Sequence, residues 1–241
     1  MTEKLYLKDS YLKEFEAKVV SLNESEKLVE LDKTAFYPTG GGQPSDTGII
    51  EFDGRSYEVL DVSKSGDKVF HKVSDISGLS EGSIIKGKVD WDKRYQHMKY
   101  HTALHIIDGV VFHDGNGSMT GGQIYDDRAR ADFDIPGLDK DKVLKILEKS
   151  QEVIDKSLPI KVKFLTKEEA LKVPELARTE PGKELMKKLD TFRVIDIEGF
   201  DFQLDGGTHV KNTSELGKIE LSKYENKGSH NKRIEITLKE K

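Results

Sequence analysis

Three histidines of the chain fall into two groups whose spacing could do chemistry. His101 and His105 lie in Met98-Lys99-Tyr100-His101-Thr102-Ala103-Leu104-His105. On a helix that spacing puts both imidazoles on one face, one turn apart, where they can share a metal ion. Far along the chain, Leu204-Asp205-Gly206-Gly207-Thr208-His209 offers a carboxylate and a third imidazole, again four residues apart. The glycines between them let the backbone turn tightly, so that the residues on either side can face a common point. The chemistry implied is that of one ion held by His101, His105, Asp205 and His209. With an open position it could polarise a bound carbonyl or lower the pKa of water, or it could bind the substrate's ends and leave attack to an ordered water. The metalloprotease form of His-x-x-x-His needs a Glu directly after the first His; Thr102 stands there, which excludes that chemistry.

Composition narrows the donor set. The 241 residues include no cysteine, so disulfides, thiol nucleophiles and thiolate ligands are absent together, and a metal must be held by His and carboxylate. A hydrophobic share of 35% and a charged share of 34% describe a soluble globular protein. No run approaches the roughly 18 apolar residues of a membrane span, and Met-Thr-Glu-Lys-Leu-Tyr lacks an apolar signal core, so a cytoplasmic protein without membrane contact is expected. The net charge of −5 supplies no global attraction to nucleic acid; such a partner would be met by local basic patches.

The elements that must position these groups can be read from periodicity. Residues 1–90 show short strand-like segments at 15–20, 27–31, 47–52, 56–62, 68–73 and 84–89, with turns at Asn23-Glu24-Ser25-Glu26, Asp53-Gly54, Ser65-Gly66 and Glu81-Gly82, a pattern that predicts a small β-barrel. Composition changes at Asp90-Trp91-Asp92, and a helix is expected from there to about Phe112, carrying the first histidine pair. Two strands follow within 120–133 around Asp126-Asp127, then a second helix capped by Asp139 and ending near Ser157, then a strand at 160–165. Residues 166–190, charged and broken by Pro174 and Pro181, read as short helices and exposed loops. Strands are expected at 191–197, 202–204, 217–221 and 233–238. The fold class is α+β: an N-terminal barrel, 1–90, and a second domain, 91–241, with helices segregated from a mainly antiparallel sheet.

With these motifs assembled, the chain resembles the editing domain of alanyl-tRNA synthetase and its free-standing relatives, the AlaX proteins. His101-Thr102-Ala103-Leu104-His105 and Gly206-Gly207-Thr208-His209-Val210-Lys211-Asn212-Thr213 look like that family's two metal motifs. The stretch Leu31-Asp32-Lys33-Thr34-Ala35-Phe36-Tyr37-Pro38-Thr39-Gly40-Gly41-Gly42-Gln43-Pro44-Ser45-Asp46-Thr47-Gly48 resembles the glycine-rich motif of the synthetase and of the longer AlaX forms. Arg128-Ala129-Arg130-Ala131-Asp132-Phe133-Asp134 and Lys232-Arg233-Ile234-Glu235 match as well, and the resemblance covers almost the whole chain.

The resemblance implies hydrolysis, in trans, of the ester that joins serine or glycine wrongly to the tRNA for alanine, with one divalent ion, zinc first, as cofactor. It implies that Thr34 meets the serine hydroxyl, with Gly41, Gly42 and Gln43 shaping the loop. The family's usual Cys-x-x-x-His has Asp205 at the Cys position here; a carboxylate can complete a tetrahedral zinc site, though as a harder ligand it shifts metal preference. Asp205 could instead act as a hydrogen-bond acceptor that orients a histidine. Many synthetase editing domains carry a Gln shortly before Gly-Ser; this chain has Gly115-Asn116-Gly117-Ser118, which leaves that task to Gln123, with Thr120, Arg128 and Arg130 as further candidates. His97, one more turn before His101, is read as a neighbour of the site or a tRNA-facing residue. For tRNA phosphates the candidates are Lys93, Arg94 and Lys99 beside the histidine helix, and Lys223, Lys227, Lys232 and Arg233 near the C-terminus. Competing readings are editing of serine on the tRNA for threonine, whose synthetase shares His-x-x-x-His, and a non-catalytic module that binds tRNA ends after decay of its metal site.

Overall fold

Alternation of apolar and polar residues is the main determinant of the first half. In the computed structural model, which describes residues 1–115, 117–178, 180–228 and 230–240, the chain divides into two compact units, Met1–His97 and Met98–Lys241. Asn116 of the Gly-Asn-Gly-Ser segment, Thr179 of the charged 166–190 stretch, and also Ser229 and Lys241, lie outside the described residues. The sequence boundary at residue 90 marks the start of a helix, whereas the division by contacts falls within that helix.

The first unit contains β1 (Glu3–Lys4), β2 (Glu14–Asn23), β3 (Leu28–Leu31), β4 (Lys33–Thr34), β5 (Gly48–Phe52), β6 (Arg55–Ser65), β7 (Lys68–Val73) and β8 (Ile84–Val89). Six of them close into a barrel in the order β2-β3-β7-β6-β5-β8, all neighbours antiparallel, while β1 pairs with β4 in parallel. On β8, and on β2 as far as Val20, exposed and buried positions alternate residue by residue, and the inward set, including Val29, Leu31, Phe36, Ile50, Val62 and Val69, fills the interior.

One inward residue of β7 is polar. His71 is wholly buried; its Nδ1 faces the carbonyl of Val29 at 3.0 Å and its Nε2 lies 2.9 Å from the Thr34 hydroxyl. A carbonyl can only accept, so Nδ1 carries the proton and Thr34 donates to Nε2, while the same hydroxyl accepts from the Phe36 N–H. Burial pushes the His71 pKa down to about 4. Above the ordinary value near 6.5 neither folded nor unfolded chain binds this proton. As pH falls from there towards 4, only the unfolded chain takes it up, and folding stability is expected to drop by about 3 kcal/mol over that window. Urea unfolding of the wild type and of His71→Gln between pH 7 and pH 4.5 checks this; equal pH slopes in the two proteins would count against it.

The second unit continues the histidine helix α1 (Trp91–His113), and adds β9 (Ser118–Ile124), β10 (Ala129–Asp134), α2 (Lys140–Asp155), β11 (Ile160–Thr166), α3 (Lys167–Leu171), α4 (Glu180–Lys188), β12 (Thr191–Ile197), β13 (Asp201–Leu204), β14 (Lys218–Asn226) and β15 (Lys232–Lys239). Asp139 caps α2 by accepting from the Lys142 N–H, as its position before the apolar stripe predicts. Val143, Ile146, Leu147, Val153 and Ile154 form the buried face of that helix. One antiparallel sheet has the order β14-β15-β10-β9 and another β11-β12-β13. β14 outruns the expected short strand because its register shifts between Leu221 and Lys223. That bulge interrupts the alternation, but pairing with β15 resumes and reaches Asn226. Among the described residues no helix is long and apolar enough to cross a membrane.

Candidate metal centre

The site rests on α1 and on the loop that leaves β13. β12 and β13 form a tight hairpin in which Val194 is opposite Leu204, so Arg193 is carried to the level of Asp205. The Asp205 N–H donates to the Arg193 carbonyl, and Arg193 Nη1 returns a bond to the Asp205 carbonyl at 2.7 Å. The loop then passes over the first histidine without room for a side chain: a Cβ on Gly207 would lie 2.1 Å from His101 Cε1. Gly207 is therefore required by close approach rather than by backbone conformation.

His101, His105, Asp205 and His209 each offer one ligand atom, and those atoms all lie within 4.8 Å of one another. Asp205 Oδ1 is 3.5 Å from His101 Nε2 and 3.8 Å from His105 Nε2, and Oδ2 is 3.0 Å from His209 Nε2. With metal–ligand bonds of about 2.0–2.1 Å, a tetrahedral site has ligand-to-ligand edges of roughly 3.3–3.4 Å. Three imidazoles and one carboxylate at these separations therefore fit a single tetrahedral ion with small adjustments.

Electrostatics prepare the same donors. Burial would raise the Asp205 pKa, but the surrounding histidines, His101 foremost, hold it well below the usual carboxylate range. Burial pushes His101 down to about 4 and, with the neighbouring His101, holds His209 well below its ordinary value, so both offer lone pairs at neutral pH. For His105 burial is again the largest influence and acts downward, yet the hydrogen bond and charge of Asp205, with the charges of Asp108 and Asp201, together outweigh it and the pKa rises. Asp205 Oδ2 also accepts from the Gly207 N–H and lies 3.6 Å from Arg193 Nη1.

Beyond the cluster, α1 and β13 carry polar residues that sequence reasoning missed. Asp108, one turn past His105, and Asp201 share Arg178, whose guanidinium lies 3.8 Å from the centre of the Phe112 ring. Burial raises the Asp108 pKa, and both carboxylates help raise that of His105. Asp201 and Gln203 precede Asp205 at two-residue steps along the strand; that period was available in the sequence as a signal.

Other site candidates are distributed as follows. Gln123, half-buried on β9, donates to the Ile124 carbonyl; Thr120 donates to the Asp132 carbonyl; Arg128 pairs with Asp127 and Glu235, and Arg130 with Asp132. In the first unit Thr34 is wholly buried against His71. Gly41 and Gly42, both with positive φ, are the centre of a two-residue turn closed by reciprocal backbone bonds between Gly40 and Gln43, the pattern of a type I′ turn. The Gln43 side chain is buried.

Three of the phosphate candidates are engaged within the fold. Arg94 is fully buried in an ion pair with Asp46, and the carbonyls of Ser10 and Ala35 accept its remaining donors. Lys232 is 5% exposed, and its ammonium ties the β14–β15 turn by donating to Asn226 and Gly228. Arg233 forms a two-pronged pair with Asp132 on the neighbouring strand. His97 is buried, which removes the tRNA-facing reading. Lys223 and Lys227 are exposed, and Lys93 and Lys99 are half-buried.

Two family models match the chain. One described as tRNA synthetases class II (A) covers residues 6–93, and one described as Threonyl and Alanyl tRNA synthetase second additional domain covers residues 192–235. The barrel unit and the loop bearing Asp205 and His209 are thus of the class found in those synthetases. Over 99% of its length the chain is 40% identical to the alanyl-tRNA editing protein AlaX-M of Saccharolobus solfataricus, all of which is covered. It is 39% identical to AlaX-M of Methanosarcina acetivorans, with 99% of both chains covered. The alanine–tRNA ligase of Ignicoccus hospitalis is 37% identical over 91% of this chain and 24% of the ligase. The chain belongs to the AlaX-M family of editing proteins and is a deacylase.

Proposed function

We propose that this chain edits tRNA in trans, hydrolysing the ester of serine, and also of glycine, on the tRNA for alanine. The observation that carries the metal part of this reading is the convergence of His101, His105, Asp205 and His209. These four residues would hold one divalent ion, zinc first. Because four protein ligands fill a tetrahedron, such an ion would supply Lewis acidity at the ester carbonyl or the attacking water only by taking a fifth ligand.

The chain's own groups do the remaining work. Burial keeps His101 and His209 neutral, the absent Cβ of Gly207 leaves room for the His101 ring, and Arg193 with the Gly207 N–H fixes Asp205. Asp205 acts as a direct ligand: its two oxygens face all three imidazole Nε2 atoms, a wider engagement than orienting one histidine requires. Lys93, Lys99, Lys223 and Lys227 meet tRNA phosphates, which makes binding weaken with salt.

Selection against alanine needs a polar partner for the serine hydroxyl, since that partner is left unpaired when alanine enters. We assign this role to Thr34 of the glycine-rich motif, with Gly41, Gly42 and Gln43 holding the loop shape; Gln123 is assigned to the amino-acid ester. The Thr34 hydroxyl donates to His71 and accepts from Phe36 and is wholly buried, so the serine side chain would reach its remaining lone pair only when the glycine-rich motif opens.

The test is deacylation of Ser-tRNA and Gly-tRNA made on the alanine tRNA, with Ser-tRNA on the threonine tRNA alongside, by the zinc-loaded protein. Hydrolysis is expected on the alanine tRNA. Preference for the threonine tRNA would favour the competing enzyme reading, and binding without turnover would favour a non-catalytic module. In the same assay Thr34→Val is expected to lower serine-ester hydrolysis at least about tenfold, the worth of one hydrogen bond to substrate, while glycine-ester hydrolysis changes little. Equal losses on the two esters would show that Thr34 does not read the hydroxyl.

A further inference from the structure

Thr102 occupies the position where a protease would carry its Glu, and its surroundings give it a different task. It is fully buried on α1, one position after His101. Its Oγ1 lies 3.1 Å from His209 Nδ1 and accepts from the Val210 N–H at 3.3 Å. A backbone N–H can only donate, so Val210 fixes one lone pair of the hydroxyl and thereby its orientation. The other side of the oxygen is presented to Nδ1. At the opposite end of the same ring, Nε2 faces the carboxylate of Asp205 at 3.0 Å.

We infer that Thr102 is the positioning residue for His209, holding the ring by Nδ1 so that Nε2 is directed to the ion shared with His101, His105 and Asp205. The inference rests on the metal reading above. A histidine that ligates through Nε2 carries its proton on Nδ1 and needs an acceptor there; the partner sets both tautomer and ring orientation. A hydroxyl meets Nδ1 in either neutral tautomer. It donates when the ring proton is on Nε2 and accepts when Nε2 is given to a metal. Thr102 therefore serves the ring before and after loading. The arrangement also joins the two motifs directly, since helix α1 supplies two ligands and, through Thr102, the support of a third.

The experiment compares the full-length wild type with Thr102→Val and Thr102→Ser. Zinc affinity is measured by competition with a chromophoric chelator, and the ¹⁵N shifts of the His209 ring are recorded in the zinc-loaded proteins. Thr102→Val keeps the volume and loses the hydroxyl; its zinc affinity is expected to fall about 10–100-fold, the usual effect of removing a partner that supports a metal-bound histidine. Thr102→Ser is expected to stay within about threefold of wild type, well inside that loss, and to preserve the protonated Nδ1 signature. Equal affinity of wild type and Thr102→Val overturns the proposal, as does a Ser variant as weak as the Val variant, which would assign the effect to packing of the methyl. A wild type that binds no zinc would sink the metal reading itself and this inference with it, an outcome distinct from the other two. Thermal unfolding of the metal-free variants separates a folding defect from a loss of affinity: the Ser variant still tests the proposal if the Val variant unfolds.

Discussion

His101→Ala and His209→Ala are each expected to lower deacylation by roughly a thousandfold or more, equivalent to about 4 kcal/mol of transition-state stabilisation, with zinc no longer retained. The size follows from the donor count. Three imidazoles and a carboxylate make a complete four-ligand set, and removal of one imidazole leaves a three-ligand site whose Asp205 is still buried among the remaining histidines. Chelation of the wild type is expected to give the same loss, reversed by added zinc. The exchange at position 205 sharpens the test. Asp205→Cys supplies a softer ligand and is expected to bind zinc more tightly than wild type, whereas Asp205→Ala removes both the ligand and the acceptor shared by Gly207 and Arg193. Activity of His209→Ala at the wild-type rate with no metal bound would end the metal mechanism. Undiminished zinc affinity in Asp205→Ala would leave Asp205 a supporting acceptor instead of a ligand.

The parts of this site that were legible from sequence were those governed by periodicity. A four-residue spacing on a helix fixed the relation of His101 to His105, and alternation along short segments marked the barrel strands. Less legible was anything that depended on register between distant segments. Arg193 is level with Asp205 only because Val194 pairs with Leu204, and no feature of Thr191-Phe192-Arg193 announces this. Thr102 was read through what its side chain lacked, since its two partners are over a hundred residues away. Lys232 and Arg233 looked like surface cations because a cation near a chain end usually is one. Lys232 is buried by the β14–β15 turn and Arg233 is engaged by Asp132 on β10, acceptors supplied by folding and not by neighbours in sequence.

Arg94 carries the same lesson at the largest energetic scale, and Arg94→Met is expected to destabilise the first unit by about 3–5 kcal/mol, the cost of leaving one partner of a buried pair uncompensated. Arg94 and Asp46 are both inaccessible to solvent. The guanidinium Nε donates to both Asp46 oxygens at 2.9 and 3.0 Å, Nη1 to the Ser10 carbonyl at 2.9 Å, and Nη2 to the Ala35 carbonyl at 2.6 Å as well as to Asp46. Asp46 in turn accepts from the Tyr37 N–H, and the Tyr37 hydroxyl donates to the Gly40 carbonyl, so one side chain at the start of α1 organises both ends of the glycine-rich motif. A lysine cannot reproduce this fork, because its ammonium is a single point with three donors; Arg94→Lys should recover only part of the loss. Urea unfolding reads the change, and the double variant Arg94→Met with Asp46→Asn is expected to be less destabilised than the sum of the two single variants, because the uncompensated charge is gone. Additive losses, or a loss below about 1 kcal/mol in Arg94→Met, would show that the pair contributes no more than a surface ion pair does. Deacylation by the folded fraction of Arg94→Met then reports on the motif: a deficit in serine-ester hydrolysis exceeding the loss of folded protein is the result expected if the loop from Thr34 to Asp46 takes part in selecting the amino acid.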